Sequence, residues 1–254
     1  MCIVSRIAAD PKGSMNVAKH YQKFILGVVL IAALAAGLVW WIGLDVIADY
    51  RDDLQYYVIA HLSLVGRSMV LALFTGIPAG IVLSRPLFSK QAERVMQIFN
   101  VGNTLPSLAV LALSMAVLGI GDRPAVLALW LASLLPIVRN TFEGLRQVSP
   151  ALRESARGMG MTPLQSLFKV ELPNAMPVIM GGVRTALVIN VGTAPLAFLI
   201  GATSLGALIF PGIYLNDQSQ LLLGAGGTAL LAIVLDGLVA FGSQLMFERR
   251  GLSR

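Results

Sequence analysis

SPALRESARGMGMTPLQSLFKVELP, residues 149–173, forms most of the longest polar interruption in this chain, which runs from about Glu143 to Ala175 between two apolar runs. Ser149-Pro150 offers an N-cap and then a proline at the first helical position, where its missing N–H costs nothing, so a short helix is expected over Ala151 to Met159. Gly158 and Gly160 interrupt it. Thr162-Pro163-Leu164-Gln165 restarts a helix with a capping box, and Pro173 is expected to end that helix after Leu172. The outcome is helix, glycine turn, helix, with Leu164, Leu167, Phe168 and Leu172 available for a buried face. One apolar stripe suits a hairpin lying on a membrane as well as it suits a docking element for a partner, and these residues leave both open.

Outward from this loop the chain is apolar. Of its 254 residues 56% are hydrophobic and 13% charged, about half the usual charge of a soluble domain, and its mean hydropathy is +0.78. Apolar segments at 24–44, 62–84, 95–119, 125–142, 177–201 and 221–247 each approach the roughly 20 residues that cross a bilayer. The expected fold is all-α: a polytopic membrane helix bundle of about six transmembrane helices over 24–247. A tail at 1–23, the loop at 143–175 and a second tail at 248–254 lie outside the membrane. The first run is too long for a signal-peptide core and ends in the interfacial pair Trp40-Trp41, so it reads as an uncleaved helix. Gly201 to Gln220, containing Gly206, Pro211 and Gly212, is left open as a short extra or re-entrant helix.

Charge placement sets the orientation. Fifteen of the 19 Lys and Arg residues fall in the N-terminal tail, in Arg85 to Arg94, in Arg139 to Lys169 and in Arg249 to Arg254, all on one side of the proposed membrane. Both termini are therefore expected in the cytosol. The same distribution explains the net charge of +6 without nucleic acid, since no loop gathers a dense basic and aromatic surface. One Cys and two His exclude a disulfide framework and a metal cluster, and no Gly-Lys dipeptide exists to build a phosphate-binding loop. No paired carboxylates and no nucleophile with its base suggest catalysis.

Polar residues at membrane depth generally face the bundle interior or a wet cavity. Asn100, Asn103, Thr104, Pro106 and Ser107 in the third segment, with Asn190 and Thr193 in the fifth, are candidates for a translocation path, with interhelical hydrogen bonding as the plainer alternative. Arg184 and Asp236 are a candidate intramembrane ion pair, with snorkelling of Arg184 as the alternative, and snorkelling is the cheaper account of Arg67. Gly76 and Gly80 read as close helix packing. Trp40, Trp41 and Trp130 suggest a cage for a quaternary ammonium, but an interfacial belt explains the first two better.

Glu154-Ser155-Ala156, three residues, Gly160, nine residues, Val170, one residue, Leu172-Pro173 resembles the Glu-Ala-Ala loop of permeases of bacterial ABC importers. Ser155 and Val170 depart from the pattern, both as small changes. The likeness extends over residues 60–210 to the osmoprotectant branch, through Asn103 to Leu108, Leu134 to Thr141, Gly158 to Pro163 and Ile189 to Ala194. Asn103 stands where Gln is expected, and Pro195 interrupts a stretch expected to be rich in Thr or Ala.

The resemblance implies a type I ABC importer permease fold, with Glu154, Ser155, Ala156, Gly158, Gly160, Thr162, Leu172 and Pro173 forming a loop that couples to an ATPase. It implies ABC ATPase subunits, a second permease, identical or paralogous, and an external binding protein as partners, and a multi-pass place in the bacterial inner membrane. ATP and Mg would then sit on the ATPase, with no cofactor and no metal on this chain. The substrate class implied is glycine betaine, carnitine or choline, with methionine or another amino acid as runner-up. Rival readings are an ion-gradient transporter coupled at Asp236 and a non-transporting scaffold; an inverted repeat would favour the first, and none is visible.

Overall fold

A computed structural model describes residues 39–88, 91–92, 94–98 and 105–249, with scattered positions between 27 and 37. The regular elements among the described residues are helical, the α-helices being α1 (Leu44–Asp49), α2 (Arg51–Leu83), α3 (Ser107–Leu118), α4 (Asp122–Arg146), α5 (Pro150–Gly158), α6 (Pro163–Ser166), α7 (Leu172–Thr193), α8 (Gly206–Tyr214) and α9 (Gln218–Arg249). A π-helical stretch, Leu167–Glu171, joins α6 to α7, and a 3-10 stretch, Ala194–Ile200, prolongs α7. Four helical stretches are long and apolar enough to cross a membrane: Arg51–Leu83, Asp122–Arg146, Pro163–Ile200 and Gln218–Phe247. The expected first span lies largely outside the described residues.

Two expectations are corrected, and one segment left open is filled. The third segment is not one unbroken helix through Leu105-Pro106: α3 begins only at Ser107, because Pro106 stands in extended conformation (φ −58°, ψ 134°) as its N-cap. Pro173 does not stop a helix. It occupies the first turn of α7, and the π stretch before it widens the turn, with the Leu172 N–H reaching back five residues to the Leu167 carbonyl. This shifts the carbonyl that the proline ring would otherwise strike. The open segment at 201–220 holds the nine-residue helix α8, entered through Gly201 in left-handed conformation (φ +81°).

α2 runs beyond the apolar segment at 62–84 by eleven residues at its start, where Asp52 and Asp53 suit the positive end of the helix dipole. It packs parallel to α4, Arg67 lying beside Asp122 and Gly80 beside Thr141, through glycines that admit the neighbour's backbone. A Cβ on Gly80 would stand 2.6 Å from Thr141 Cβ, and one on Gly76 2.9 Å from Ile137 Cγ2. Gly182 brings α7 equally close to Asn140 and the Pro136 carbonyl on α4. The central core joins Leu64, Leu111, Leu129, Ile137, Val183 and Val191. A smaller cluster closes the end nearest α5 around Leu145, Leu167 and Ile179. Ile42, Leu205, Leu208 and Leu223 close the other end with α8. Phe74, Val117 and Leu238 remain exposed, as hydrocarbon-facing side chains must be.

Candidate functional site

The loop between α4 and α7 is built as its residue types dictate. α5 begins with Pro150 after Ser149, whose position is that of an N-cap although its side chain makes no capping bond. The helix ends in a Schellman turn: the Met161 N–H donates to the Ala156 carbonyl and the Gly160 N–H to the Arg157 carbonyl. Gly160 takes φ +74°, a conformation that favours glycine. Thr162 then completes the capping box, its Oγ1 accepting from the Gln165 N–H at 3.3 Å and its own N–H donating to Gln165 Oε1 at 2.9 Å.

Glu154, Ser155, Gly158 and Gly160 lie on the exposed side of this hairpin, and Ala156 is fully buried. The expected apolar face is split. Leu167 is buried and Leu172 packs beside it, but Leu164 and Phe168 are 68% and 64% exposed, because Pro163–Ile200 is one continuous helix with only one side on the bundle. With Met159, these two form an exposed apolar crest next to Gly160.

A cavity of about 490 Å³ opens between α3, α4 and α7. Ser107 and Thr193 line it together, with Ser114, Leu111, Leu131 and Ile189. Pro106 caps α3 at its rim, whereas Asn100, Asn103 and Thr104 lie outside the described residues. Thr193 turns its hydroxyl proton back to the Ile189 carbonyl, so its oxygen lone pairs remain for the cavity. Asn190 is fully buried and does not line this cavity. Its Nδ2 donates to Ser68 Oγ on α2 and Ser133 Oγ on α4, each at 2.8 Å, which pins three helices together. Both hydroxyls spend their protons on carbonyls of their own helices and are left as acceptors.

Arg184 Nε and Nη2 donate to Asp236 Oδ1 and Oδ2 at 2.8 and 2.7 Å, a bidentate pair joining α7 to α9. Arg67 also has a partner, Asp122 at 2.7 Å, in place of simple snorkelling. Trp130 donates Nε1 to Thr75 Oγ1, while Trp40 and Trp41 stand exposed as an interfacial belt requires.

Sequence reasoning overlooked an ionic group beneath α5. Glu171 is buried and meets Arg85 at 3.0 Å and Arg153 at 3.8 Å. The available signal was a carboxylate one residue before Leu172-Pro173 at the mouth of an apolar run, a place that demands a counter-charge.

Long apolar helices around a cavity, with a capped helical hairpin held outside the bundle, define a multi-pass membrane transport subunit. Residues 76–251 match the model of the binding-protein-dependent transport system inner membrane component, and the chain belongs to that family. It is a permease subunit of an ABC importer and not an enzyme; the family works with a separate ATPase subunit and a substrate-binding protein. The chain is 60% identical over 225 residues to the osmoprotectant import permease protein OsmY of Salmonella typhimurium, covering 88% of this chain and 95% of the relative. It is 45% identical to the osmoprotectant import permease protein OsmW of the same organism, over 76% of this chain and 89% of that one. The choline transport system permease protein OpuBB of Bacillus subtilis is 42% identical, over 74% and 86%. An inward-facing structure of the MetNI methionine ABC transporter shares the fold, with a TM-score of 0.66 at 24% identity, covering 79% of this chain and 96% of that one.

Proposed function

We propose that this chain carries osmoprotectants such as glycine betaine, carnitine or choline across the bacterial inner membrane after an external binding protein delivers them. The observation that carries the substrate class is the 60% identity to OsmY over nearly its whole length. The cavity supports it: a quaternary ammonium neither donates nor needs a strong acceptor, and an apolar wall with Ser107, Ser114 and Thr193 hydroxyls offers passage without a deep trap. The end bearing Arg85, Arg153 and the α5 hairpin faces the cytosol, as do both termini. The crest of Met159, Leu164 and Phe168 beside Glu154 and Gly160 supports docking of an ABC ATPase, which would hold ATP and Mg in place of any cofactor on this chain. Six spans within 24–247 remain our reading of the domain plan.

Two permeases of one organism, OsmY and OsmW, match this chain at 60% and 45%. We infer from that inequality that the second bundle is a paralogue, not an identical copy. Bidentate pairing of Asp236 with Arg184 also neutralises that carboxylate with a resident cation, which disfavours the gradient-driven rival. The test is uptake of labelled glycine betaine, carnitine and choline by cells carrying the chain with its ATPase, second permease and binding protein. Uptake that needs ATP and is not displaced by methionine is expected; displacement by methionine, or persistence after ATP depletion, would sink the reading.

A further inference from the structure

Beneath α5 a single buried carboxylate serves several helices. Glu171 stands in the π-helical stretch through which Pro163–Ile200 enters the bundle, and its side chain is 8% exposed. Arg85, two residues past the end of α2, donates Nη2 to Oε2 at 3.0 Å and Nη1 to Oε1 at 3.4 Å. The same guanidinium holds Ser84 Oγ and the Ile81 carbonyl, so it is fixed to its own helix end. Arg153 of α5 brings Nε to 3.8 Å from the same oxygen, Oε2, and donates Nη2 to the carbonyl of Leu145, in the last turn of α4. The Ser166 hydroxyl donates to Oε1 at 3.5 Å. Four helices, α2, α4, α5 and α7, thus converge on one charge.

Stability alone is a poor account of this arrangement, since buried ion pairs can often be replaced by apolar residues at no loss; their best-attested use is to fix geometry. The local backbone points the same way. A π-helical turn is a loosened turn, common at functional sites, and this one lies between the exposed crest of α6 and the long helix α7. A force applied to the hairpin would be absorbed there by bending. The planar guanidinium fork of Arg85 grips the carboxylate, and Arg153 stands 3.8 Å away as a second counter-charge; together they oppose that bending.

We propose that Glu171 is a positioning residue for energy coupling: with Arg85 and Arg153 it makes α5 and the adjoining ends of α2, α4 and α7 move as one body. This rests on the reading that α5 and its crest dock the ATPase. The full complex of permeases, ATPase and binding protein, in proteoliposomes, tests it with Glu171→Gln, Glu171→Asp and the double variant Arg85→Gln/Glu171→Gln.

Both Gln variants are expected to retain the ATPase and to hydrolyse ATP, while substrate imported per ATP falls about tenfold, within the span known for coupling mutations. Glu171→Asp, which keeps the charge, is expected to stay within about threefold of the parent. The double variant separates coupling from stability, because Glu171→Gln alone leaves the Arg85 cation without its carboxylate, whereas the double variant removes both partners of that pair. Import per ATP restored in the double variant overturns the proposal, and so does loss of assembly in both Gln variants, since the charge would then serve the fold. Gly160→Arg tests the docking reading separately: ATPase retained at full stoichiometry there overturns docking whatever Glu171 does.

Discussion

α2 is tied to a neighbour by an arginine and a carboxylate at two levels, and the two ties differ in kind. Near its end, Arg85 meets a carboxylate that is 8% exposed and is approached by a second arginine. Eighteen residues before Arg85, Arg67 meets Asp122 at the shorter distance of 2.7 Å, yet both side chains are close to half exposed. The shorter contact is the weaker one. Water and salt compete for Arg67 and Asp122, so their pairing is worth about 0–1 kcal/mol, whereas an unpaired charge at Glu171 has nowhere to hydrate. Burial and the number of partners rank these ties, and distance does not. The ionic tie that braces α2 therefore lies at its hairpin end, which suits a transporter driven from that end.

The largest expected effect comes from removing one partner of the buried carboxylate. Arg85→Ala leaves Glu171 with the longer Arg153 contact and the Ser166 hydroxyl, and should lower stability by about 2–3 kcal/mol, less than the full buried-pair penalty because Arg85 is itself partly exposed. Thermal unfolding of the purified protein in detergent measures it, and a loss no greater than that of Arg67→Ala would break the ranking. Next comes Gly80→Ala, whose Cβ would press on Thr141 and on the Val138 carbonyl. Backbone cannot move aside as a flexible side chain can, so a loss of about 1–3 kcal/mol is expected in the same assay. Gly66, in the same helix but beside Arg67, has open space around it. Gly66→Ala should leave stability unchanged or raise it by up to about 1 kcal/mol through helix propensity. Equal outcomes at Gly80 and Gly66 would mean that the hairpin end is no more tightly packed than the other.

What could be read from the sequence follows the same division between local and distant causes. The capping box at Thr162 and the turn at Gly160 were legible because each depends on residues within five positions. The long apolar helices were legible because hydrocarbon imposes length and composition on each segment by itself. The start of α2 was not, since Arg51 to Ala60 mixes charge with apolar residues and is held by Ile42, Leu205 and Leu223 from elsewhere in the chain. Asn190 was noticed as polar at depth, but its partners are 122 and 57 residues away, and nothing near it distinguishes a path from an interhelical tie. Pro173 misled for a related reason: whether a proline ends a helix depends on the turn before it, and a π-helical turn leaves no mark on hydrophobic periodicity. Ser107 and Thr193 were picked out separately; that they share a cavity is a matter of tertiary packing.

The smallest effect is the most discriminating, because it isolates solvent exposure from geometry. Arg67→Ala removes a 2.7 Å charged contact, yet the expected loss is under about 1 kcal/mol at low salt. Raising the salt to about 1 M shortens the screening length to roughly 3 Å, and the difference between Arg67→Ala and its parent should then vanish. The corresponding difference for Arg85→Ala should persist, since ions do not reach a carboxylate packed under Ser166 and the hairpin. Unfolding of all three proteins at low and high salt gives the comparison directly. If salt erased both differences, Glu171 would behave as a surface charge, and the argument that the hairpin end is the rigid one would lose its electrostatic support, leaving only the glycine packing of α2 on α4 to carry it.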